Sequence, residues 1–332
     1  MKANTKRTLA GLSGMLMIQS GVTAQAAVDG VSLTQTEQQT YDEVANVQGA
    51  FAFDQDVISP RDDIFNLFGT AATGVCATPG FVFAQQDGAS DYYLNVGGKL
   101  KKSFTVSYSD LENNSRAEVM KCSCGMSSAV ANAAITGVPM EKIVEMADLE
   151  DDVNAVAFKG ADGYTVSVSL DKIKGAMLVY KVNGKNTVAE EGGPVQLWMP
   201  GAAASYFTRN VTDVEFIHAD DIAGMAAPAA EQRAKVNFVN HFEKSAFHVG
   251  DQISFEGYAD DFDTSIAAVQ FSMDGGKTWT TCETNGATPD KWVYWNFTYT
   301  AAQPGSYKLD ARALTANGNV SPLAASVVFE VE

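Results

Sequence analysis

The last hundred residues carry the pattern that most restricts the fold, a series of short strand-like segments at regular spacing. They read VNFVNHF, QISFEGYA, AAVQFSM, WVYWNFTY, YKLDARAL and ASVVFEV. Apolar and polar residues alternate within them, as expected for strands with one buried face. Strands recurring at intervals of roughly 8 to 12 residues predict a β-sandwich of the immunoglobulin type, which we place over residues 236–332.

A mixed domain is predicted before the sandwich, over residues 88–220. The segment DYYLNVGGKLKKSFTVSYSDL alternates on either side of Gly97-Gly98, where a hairpin turn is expected. Pro139 stands where a first helical turn tolerates proline, and the apolar spacing after it predicts a helix to about Leu149. Strand patterns separated by turn residues follow up to residue 220. One α+β domain is therefore expected here.

The remaining segments are not part of either predicted domain. Residues 1–26 have a basic start, a short apolar run and small residues at Ala24 and Ala26, which is typical of an export signal. We expect the mature protein in the periplasm or outside the cell. Residues 27–87 carry mixed signals and form a segment of uncertain fold. Residues 221–235 lose all periodicity and are interpreted as a linker.

The charge of the chain restricts its partners. Forty acidic and twenty-three basic side chains give a formal net charge of −17. This charge repels phosphate backbones, so nucleic acid is not expected as a partner. Beyond the export signal, no apolar run approaches the roughly 18 residues that a membrane helix needs, so the chain is not expected to span a membrane.

Several local motifs are interpreted as structural. The segment SMDGGKTW resembles an Asp-box hairpin, in which Asp274 accepts hydrogen bonds from the turn. The run Asp260, Asp261 and Asp263 lacks the regular ligand alternation of a calcium loop and is interpreted as a solvated acidic turn. No nucleotide-binding loop, serine nucleophile motif or histidine metal motif is present in the sequence.

The chemistry-bearing candidate is the pair Cys122 and Cys124. Gly125 and a run of small residues to Ala134 follow them, so the backbone there can lie close to a bulky group. This pattern favours the wall of a cofactor site. A buried structural cysteine, or a disulfide such as Cys76 with Cys124, is the alternative that the spacing leaves open.

These residues, with others in the same order, resemble the sulfite oxidase family of molybdopterin-dependent oxidoreductases over roughly residues 90–332. In that family a strand ending in cysteine precedes a small-residue segment and a G-V-P element that opens a helix, and here MKC precedes ANAAITGVPM. Further matches follow in the same order: Asp162-Gly163-Tyr164, Asn183-Gly184, Gly192-Gly193-Pro194, Pro200-Gly201, Arg209, the SMDGGKTW segment, Trp292, Trp295 and the turn Gly318-Asn319.

The resemblance implies a fold, a cofactor and a set of site residues. The fold is a mixed molybdopterin-binding domain followed by an immunoglobulin-like sandwich. The cofactor is molybdenum-molybdopterin, with the Cys122 thiolate as a soft ligand of the metal. Arg209 and Ser205 would lie near the pterin phosphate. The remaining implied cofactor-binding residues are Cys124, Asp162, Gly193 and Gln196.

Two departures from the family pattern bear on the cofactor. Glu191 stands where the family often has histidine, and Gln196 stands where it has an arginine that binds the cofactor. Loss of a cation removes a charge-assisted contact to phosphate, and a nearby carboxylate adds repulsion. The segment Ser123-Cys124-Gly125 also replaces the usual residues after the cysteine, so Cys124 is a second candidate for the metal ligand.

The resemblance predicts an exported oxidoreductase that transfers an oxygen atom or electrons on a small oxyanion or sulfoxide-like substrate. A redox protein is then expected as partner, and family members often pair through the sandwich, which makes a homodimer one expectation. The alternative is a member of the same fold that lacks the cofactor and acts as a binding or assembly subunit.

Overall fold

Alternating sequence patterns become strands through most of the chain. The computed structural model describes residues 40–68, 92–125, 127–188, 193–221, 233–240, 242 and 246–332. The export signal, Cys76, Glu191 and most of the linker lie outside the described residues. Residues 40–332 belong to one compact unit.

The first domain is mixed and mostly strand. Its helices and strands are α1 Arg61–Phe68, β2 Tyr93–Gly98, β3 Phe104–Ser107, α2 Tyr108–Leu111, β4 Arg116–Ser123, β5 Val130–Pro139, α3 Met140–Met146, β6 Ala155–Gly160, β7 Thr165–Ser169, β8 Met177–Val182, β9 Lys185–Asn186, β10 Gln196–Trp198 and β11 Val211–Ile217. In the described residues they form one sheet in the order β3-β2-β11-β6-β7 and another in the order β10-β8-β5-β4, with β9 beside β8. Both sheets enclose one apolar core.

The second domain is a sandwich of two sheets. Its strands are β12 Lys235–Phe238, β13 Ala246–Phe247, β14 Gln252–Asp260, β15 Ile266–Ser272, β16 Thr280–Glu283, β17 Val293–Thr300, β18 Gly305–Thr315 and β19 Ala325–Val331. One sheet has the order β13-β19-β18-β15-β16, and the other contains β17, β14 and β12. The predicted fold class, an α+β domain followed by an all-β sandwich, is confirmed. Its assignment to the immunoglobulin type stays a prediction.

The sandwich also includes a strand from the N-terminal segment, which the sequence did not assign. Strand β1, Ala50–Asp54, pairs antiparallel with β17 and completes a four-stranded sheet. The chain then passes to the first domain through residues 55–60. There Ser59 exchanges hydrogen bonds with Asn132 of β5, which also accepts one from the backbone N–H of Trp292 at 3.1 Å. The N-terminal segment therefore contacts both domains.

Two further expectations concern the first domain. The predicted helix after Pro139 is present but ends at Met146, because Ala147 has an extended backbone (φ −86°, ψ 122°). The small-residue segment before it forms β5, paired with β4 on one side and β8 on the other. In the described residues no helix is both long and apolar enough to span a membrane.

The Asp-box hairpin of the sandwich has its expected structural role. Asp274 accepts hydrogen bonds from the Thr278 N–H at 2.9 Å, the Thr278 hydroxyl at 2.5 Å and the Ser272 hydroxyl at 2.8 Å. The two contacts from Thr278 are the largest cause of a pKa for Asp274 lowered to about 2. The carboxylate thus holds the turn between β15 and β16.

Asp274→Asn should destabilise the protein in a pH-dependent way. A carboxyl whose folded pKa is lowered contributes stability above its unfolded pKa, near 3.8, and loses it as pH falls through about 2. We expect the difference in free energy of unfolding between wild type and variant to be largest above about pH 5 and to fall steadily as the pH is lowered through the unfolded pKa towards about 2. Urea unfolding over this range measures it. A difference that does not change with pH would contradict the assignment.

Gly257→Ala should destabilise the sandwich by about 3 kcal/mol. A Cβ at this position would lie 2.1 Å from the Asn237 carbonyl oxygen and 2.2 Å from Trp295 Cζ2 in the core. Gly97→Ala is the matched control, since its Cβ would meet nothing closer than the Ser103 hydroxyl at 3.6 Å. Denaturant unfolding should separate the two variants, and equal effects would show that close packing at Gly257 is not the cause.

Candidate functional site

The cysteine hairpin, formed by β4 and β5, carries Cys122 near its tip. Cys122 pairs with Ala131 and is 4% exposed within the core of the first domain. Successive side chains of a strand point to opposite faces, so the neighbours Lys121 and Ser123 point away from this core. The thiol of Cys122 therefore faces the first domain, as a ligand of a group held there must.

Small residues surround the end of this strand. Cys124 donates its N–H to the Ala129 carbonyl at 3.0 Å, and Ser123 forms a bridge with Ala203. A Cβ on Gly125 would lie 3.3 Å from that of Ala203, so the two backbone segments approach closely. The hairpin end and the buried Ala202, Ala203 and Ala204 form a small-residue wall.

Ser205 and Asp162 lie close to this wall. Ser205 follows it in a short 3-10 turn, Ala204–Tyr206, and its carbonyl accepts a hydrogen bond from the Tyr164 hydroxyl at 2.6 Å. Asp162 in turn accepts the Tyr164 N–H at 3.0 Å. The D-G-Y turn between β6 and β7 is thus brought against the segment that follows the wall.

Arg209 belongs to a run of three buried polar residues, the polar cluster Thr208, Arg209 and Asn210. Their exposed fractions are 0%, 8% and 7%, and Arg209 donates from Nη2 to the Phe68 carbonyl. The Thr208 hydroxyl and the Asn210 side-chain oxygen have no hydrogen-bond partner among the described residues. Buried polar atoms are almost always satisfied, so these two atoms are candidates for binding a polar ligand.

Two predicted residues flank the polar cluster. Gly193 has φ 88°, and a Cβ there would lie 2.5 Å from that of Asn210. Gln196 begins β10, beside Leu197, whose N–H donates to the Thr208 carbonyl at 2.8 Å. Gln196 is 5% exposed and accepts the indole N–H of Trp198 at 3.3 Å. A neutral, buried amide therefore occupies the position next to the cluster.

Three of the four cysteines lie in the described residues. No disulfide joins Cys122, Cys124 and Cys282. A bridge to Cys76 stays open, because that residue lies outside the described residues. The predicted residues follow one another through backbone and side-chain contacts. The cysteine hairpin meets Ala203 near Ser205, Ser205 contacts Tyr164 of the D-G-Y turn, and the Ala161 N–H before that turn donates to the Asn210 carbonyl at 2.9 Å. Their roles in binding stay predictions.

The acidic run is not a solvated turn, and that interpretation was wrong. The side chains of Asp260 and Asp261 have no exposed surface, and each is ion-paired, with Lys121 at 2.6 Å and with Arg233 at 2.9 Å. Only Asp263 is exposed, and it pairs with Arg233 as well. Within the described residues no group of three or more acidic, histidine or cysteine side chains is arranged to hold a metal ion.

The ion pair of Asp260 with Lys121 joins the sandwich to the back of the cysteine strand. Lys235 of β12 donates to the Ser123 hydroxyl at 2.8 Å and to the Cys124 carbonyl. Burial lowers the pKa of Lys235, and nearby Asp260 opposes that effect. Sequence reasoning missed this contact. Two signals were available in the sequence. Lys121 is a charge within an otherwise apolar strand end, and the acidic run begins at the last residue of β14.

Comparison with known proteins agrees with this arrangement. The sequence model described as oxidoreductase molybdopterin binding domain matches residues 81–223. An NADPH-dependent nitrate reductase of Beauveria bassiana is 29% identical over 144 residues, an alignment that covers 35% of this chain and 16% of the relative. The chain thus matches only about a sixth of that relative's length.

Among solved structures, the crystal structure of the sulfane dehydrogenase SoxCD from Paracoccus pantotrophus is similar. It superposes with a TM-score of 0.62 at 20% identity, covering 83% of this chain and 82% of the other. At this identity the likeness concerns the fold, and it extends over both domains.

Proposed function

Since residues 81–223 carry the molybdopterin-binding domain of the sulfite oxidase family, we propose that this protein is an exported molybdopterin-dependent oxidoreductase. It transfers an oxygen atom or electrons to or from a small oxyanion or sulfoxide-like substrate. The relative is named as a reductase of nitrate and the structural neighbour as a dehydrogenase of sulfane. Both names describe redox reactions, which supports an oxidoreductase role.

The observation that carries the proposal is that one domain contains both a buried thiol and a buried polar cluster in which two side-chain oxygens have no partner among the described residues. Cys122 supplies sulfur on the core face of β4. Thr208, Arg209 and Asn210 supply a hydroxyl, a cation and an amide in a run of three buried residues. A group with a metal at one end and a phosphate at the other requires these two kinds of donor, so the residues present fit molybdenum-molybdopterin.

Each residue then has a definite role. Cys122 would ligate the metal as a thiolate. Arg209 and Thr208 would donate to the phosphate, and the amide of Asn210 would add a further donor. The small-residue wall lets backbone approach the ring system, because few side chains stand in the way. When bound, the cofactor supplies a metal that cycles between oxidation states while an oxygen atom or electrons are passed.

Gln196 implies that phosphate binding in this chain differs from the family pattern, in which an arginine stands at this position. A neutral amide in place of a cation leaves Arg209 with a larger share of the charge complementarity, since the described part of the polar cluster has no other cationic side chain. Gln196 also favours the second candidate, a cofactor-free subunit of the same fold. Export, a redox protein as electron partner and pairing of two chains complete the first proposal.

Molybdenum content separates the two candidates. Mature protein from a molybdenum-replete host should contain close to one molybdenum and one pterin per chain, measured by elemental analysis and pterin fluorescence. Cys122→Ser should lose the thiolate ligand and change the molybdenum absorption spectrum, whereas Cys124→Ser should leave it unchanged. Protein without molybdenum would favour the cofactor-free subunit. A changed spectrum in Cys124→Ser alone would move the ligand to that residue.

Arg209→Ala should lower the retained pterin at least tenfold, because it removes a charge-assisted contact from a buried site. Arg116→Ala is the matched control, since Arg116 pairs with Glu118 at 3.1 Å and is 44% exposed. Pterin released by denaturation and quantified per chain measures both variants. Equal retention in the two would contradict the role of Arg209.

A further inference from the structure

The back of the cysteine strand is bound by a single carboxylate from the other domain. Asp260, the last residue of β14, accepts Lys121 Nζ at 2.6 Å on Oδ1 and the Ser123 hydroxyl at 2.8 Å on Oδ2. Lys121 and Ser123 are the two residues that flank Cys122. One carboxylate therefore holds both neighbours of the cysteine, each through a different oxygen.

Because this contact is buried, it is held in one geometry. The Asp260 side chain has no exposed surface, and Lys121 and Ser123 are 4% and 1% exposed. Without water to replace lost partners, leaving either charge unpaired is costly, so the contact persists in one geometry. Because the side chains of Lys121 and Ser123 are both held, rotation of the strand about its own axis is restricted. The direction of the Cys122 side chain on the opposite face is restricted with it.

Lys235 completes the arrangement from β12. Ser123 accepts a hydrogen bond from Lys235 Nζ at 2.8 Å while it donates to Asp260, and Lys235 also donates to the carbonyl of Cys124. The ammonium further lies 4.8 Å above the Phe262 ring. The sandwich thus holds side chains and backbone on both sides of the cysteine.

We propose that the sandwich domain orients Cys122 for its ligand, with Asp260 as the positioning residue that acts through Lys121 and Ser123. The inference deepens the proposed function and rests on it where the ligand is molybdenum. Positioning of the thiol itself is a property of the cofactor-free chain. Residues behind a metal ligand commonly change metal affinity by about 10- to 100-fold when replaced.

The test uses the full chain, made in a host without molybdopterin synthesis and in a molybdenum-replete host. Asp260→Asn is compared with Asp261→Asn, a matched control from the same segment. The Asp261 side chain also has no exposed surface and has an ion pair, yet its carboxylate contacts Arg233 and the Phe262 N–H. Asp261 contacts the cysteine strand through its backbone carbonyl, which accepts Lys121 Nζ and which the substitution keeps. Ser123→Ala is included in case Asp260→Asn does not fold. It removes the hydrogen bonds of Ser123 with Asp260 and Lys235, but Asp260 keeps its ion pair with Lys121 and Lys235 keeps its bond to the Cys124 carbonyl.

In the cofactor-free protein, iodoacetamide labelling of each cysteine is followed by peptide mass spectrometry. Asp260→Asn should label Cys122 about tenfold faster than wild type, because the strand end can move and expose the thiol. Ser123→Ala should change the rate in the same direction by a smaller factor. Cys282, a partly exposed residue of β16 in the sandwich, serves as the reference, and its rate should not change. Asp261→Asn should match wild type at both cysteines.

In the molybdenum-replete protein, Asp260→Asn should change the molybdenum absorption spectrum per bound metal, and Asp261→Asn should not. Wild-type labelling of Cys122 in both Asp260→Asn and Ser123→Ala would overturn the positioning role, even if thermal stability fell. If Asp260→Asn raises the labelling rates of Cys122 and Cys282 by the same factor, the contact serves only interdomain stability. That result would overturn the positioning role as well. Wild-type protein without molybdenum would refute the proposed function alone, and the labelling rates would still decide the positioning role.

Discussion

A buried ion pair between the domains, Lys121 with Asp260, is the constraint on which the site depends. Breaking such a pair typically costs 3–5 kcal/mol, about as much as a large core truncation, whereas its replacement by well-packed apolar residues is often neutral. The role of this pair is therefore better explained by geometry than by stability. A pair of fixed charges is compatible with one register between the cysteine strand and the sandwich, whereas apolar packing would be compatible with several.

The opposite strand of the hairpin is fixed in a complementary way. Asn132, which pairs with Lys121 across the hairpin, is fully buried and bonds to Ser59 and to Trp292. The cysteine hairpin is thus bound by the sandwich on one strand and by the N-terminal segment and sandwich on the other. The sandwich is then part of the scaffold of the site, and the two-domain likeness to the sulfane dehydrogenase structure is consistent with such a unit.

Much of the fold could be predicted because its strands obey local rules. Alternation located β6, β7, β8 and the longer strands of the sandwich, but not the short strands β13 and β16. The positive φ of Asn183 and Gly184 matches the expected turn. Strand β1 could not be found this way. It is a half-exposed edge strand whose partner, β17, begins more than two hundred residues later, and no periodicity encodes such a pairing.

The residue types of the site could be predicted from the sequence, but the residues that contact them could be predicted less well. The cysteine with its small neighbours was visible, since size and sulfur chemistry are properties of single residues. Asp260 and Asp261 resembled a solvated turn because charge runs usually are exposed, and their burial depends on Lys121 and Arg233 from distant parts of the chain. The environment of Arg209 likewise depends on Phe68, Gly160 and Gly193, which only the folded chain brings together.

The central claim is that a thiol held on the core face of β4 binds molybdenum beside a pterin. X-ray absorption at the molybdenum edge of the purified protein tests it most directly. The account predicts three sulfur ligands, two from the pterin and one from cysteine. A spectrum with only two sulfur ligands, or the absence of a molybdenum edge, would contradict it.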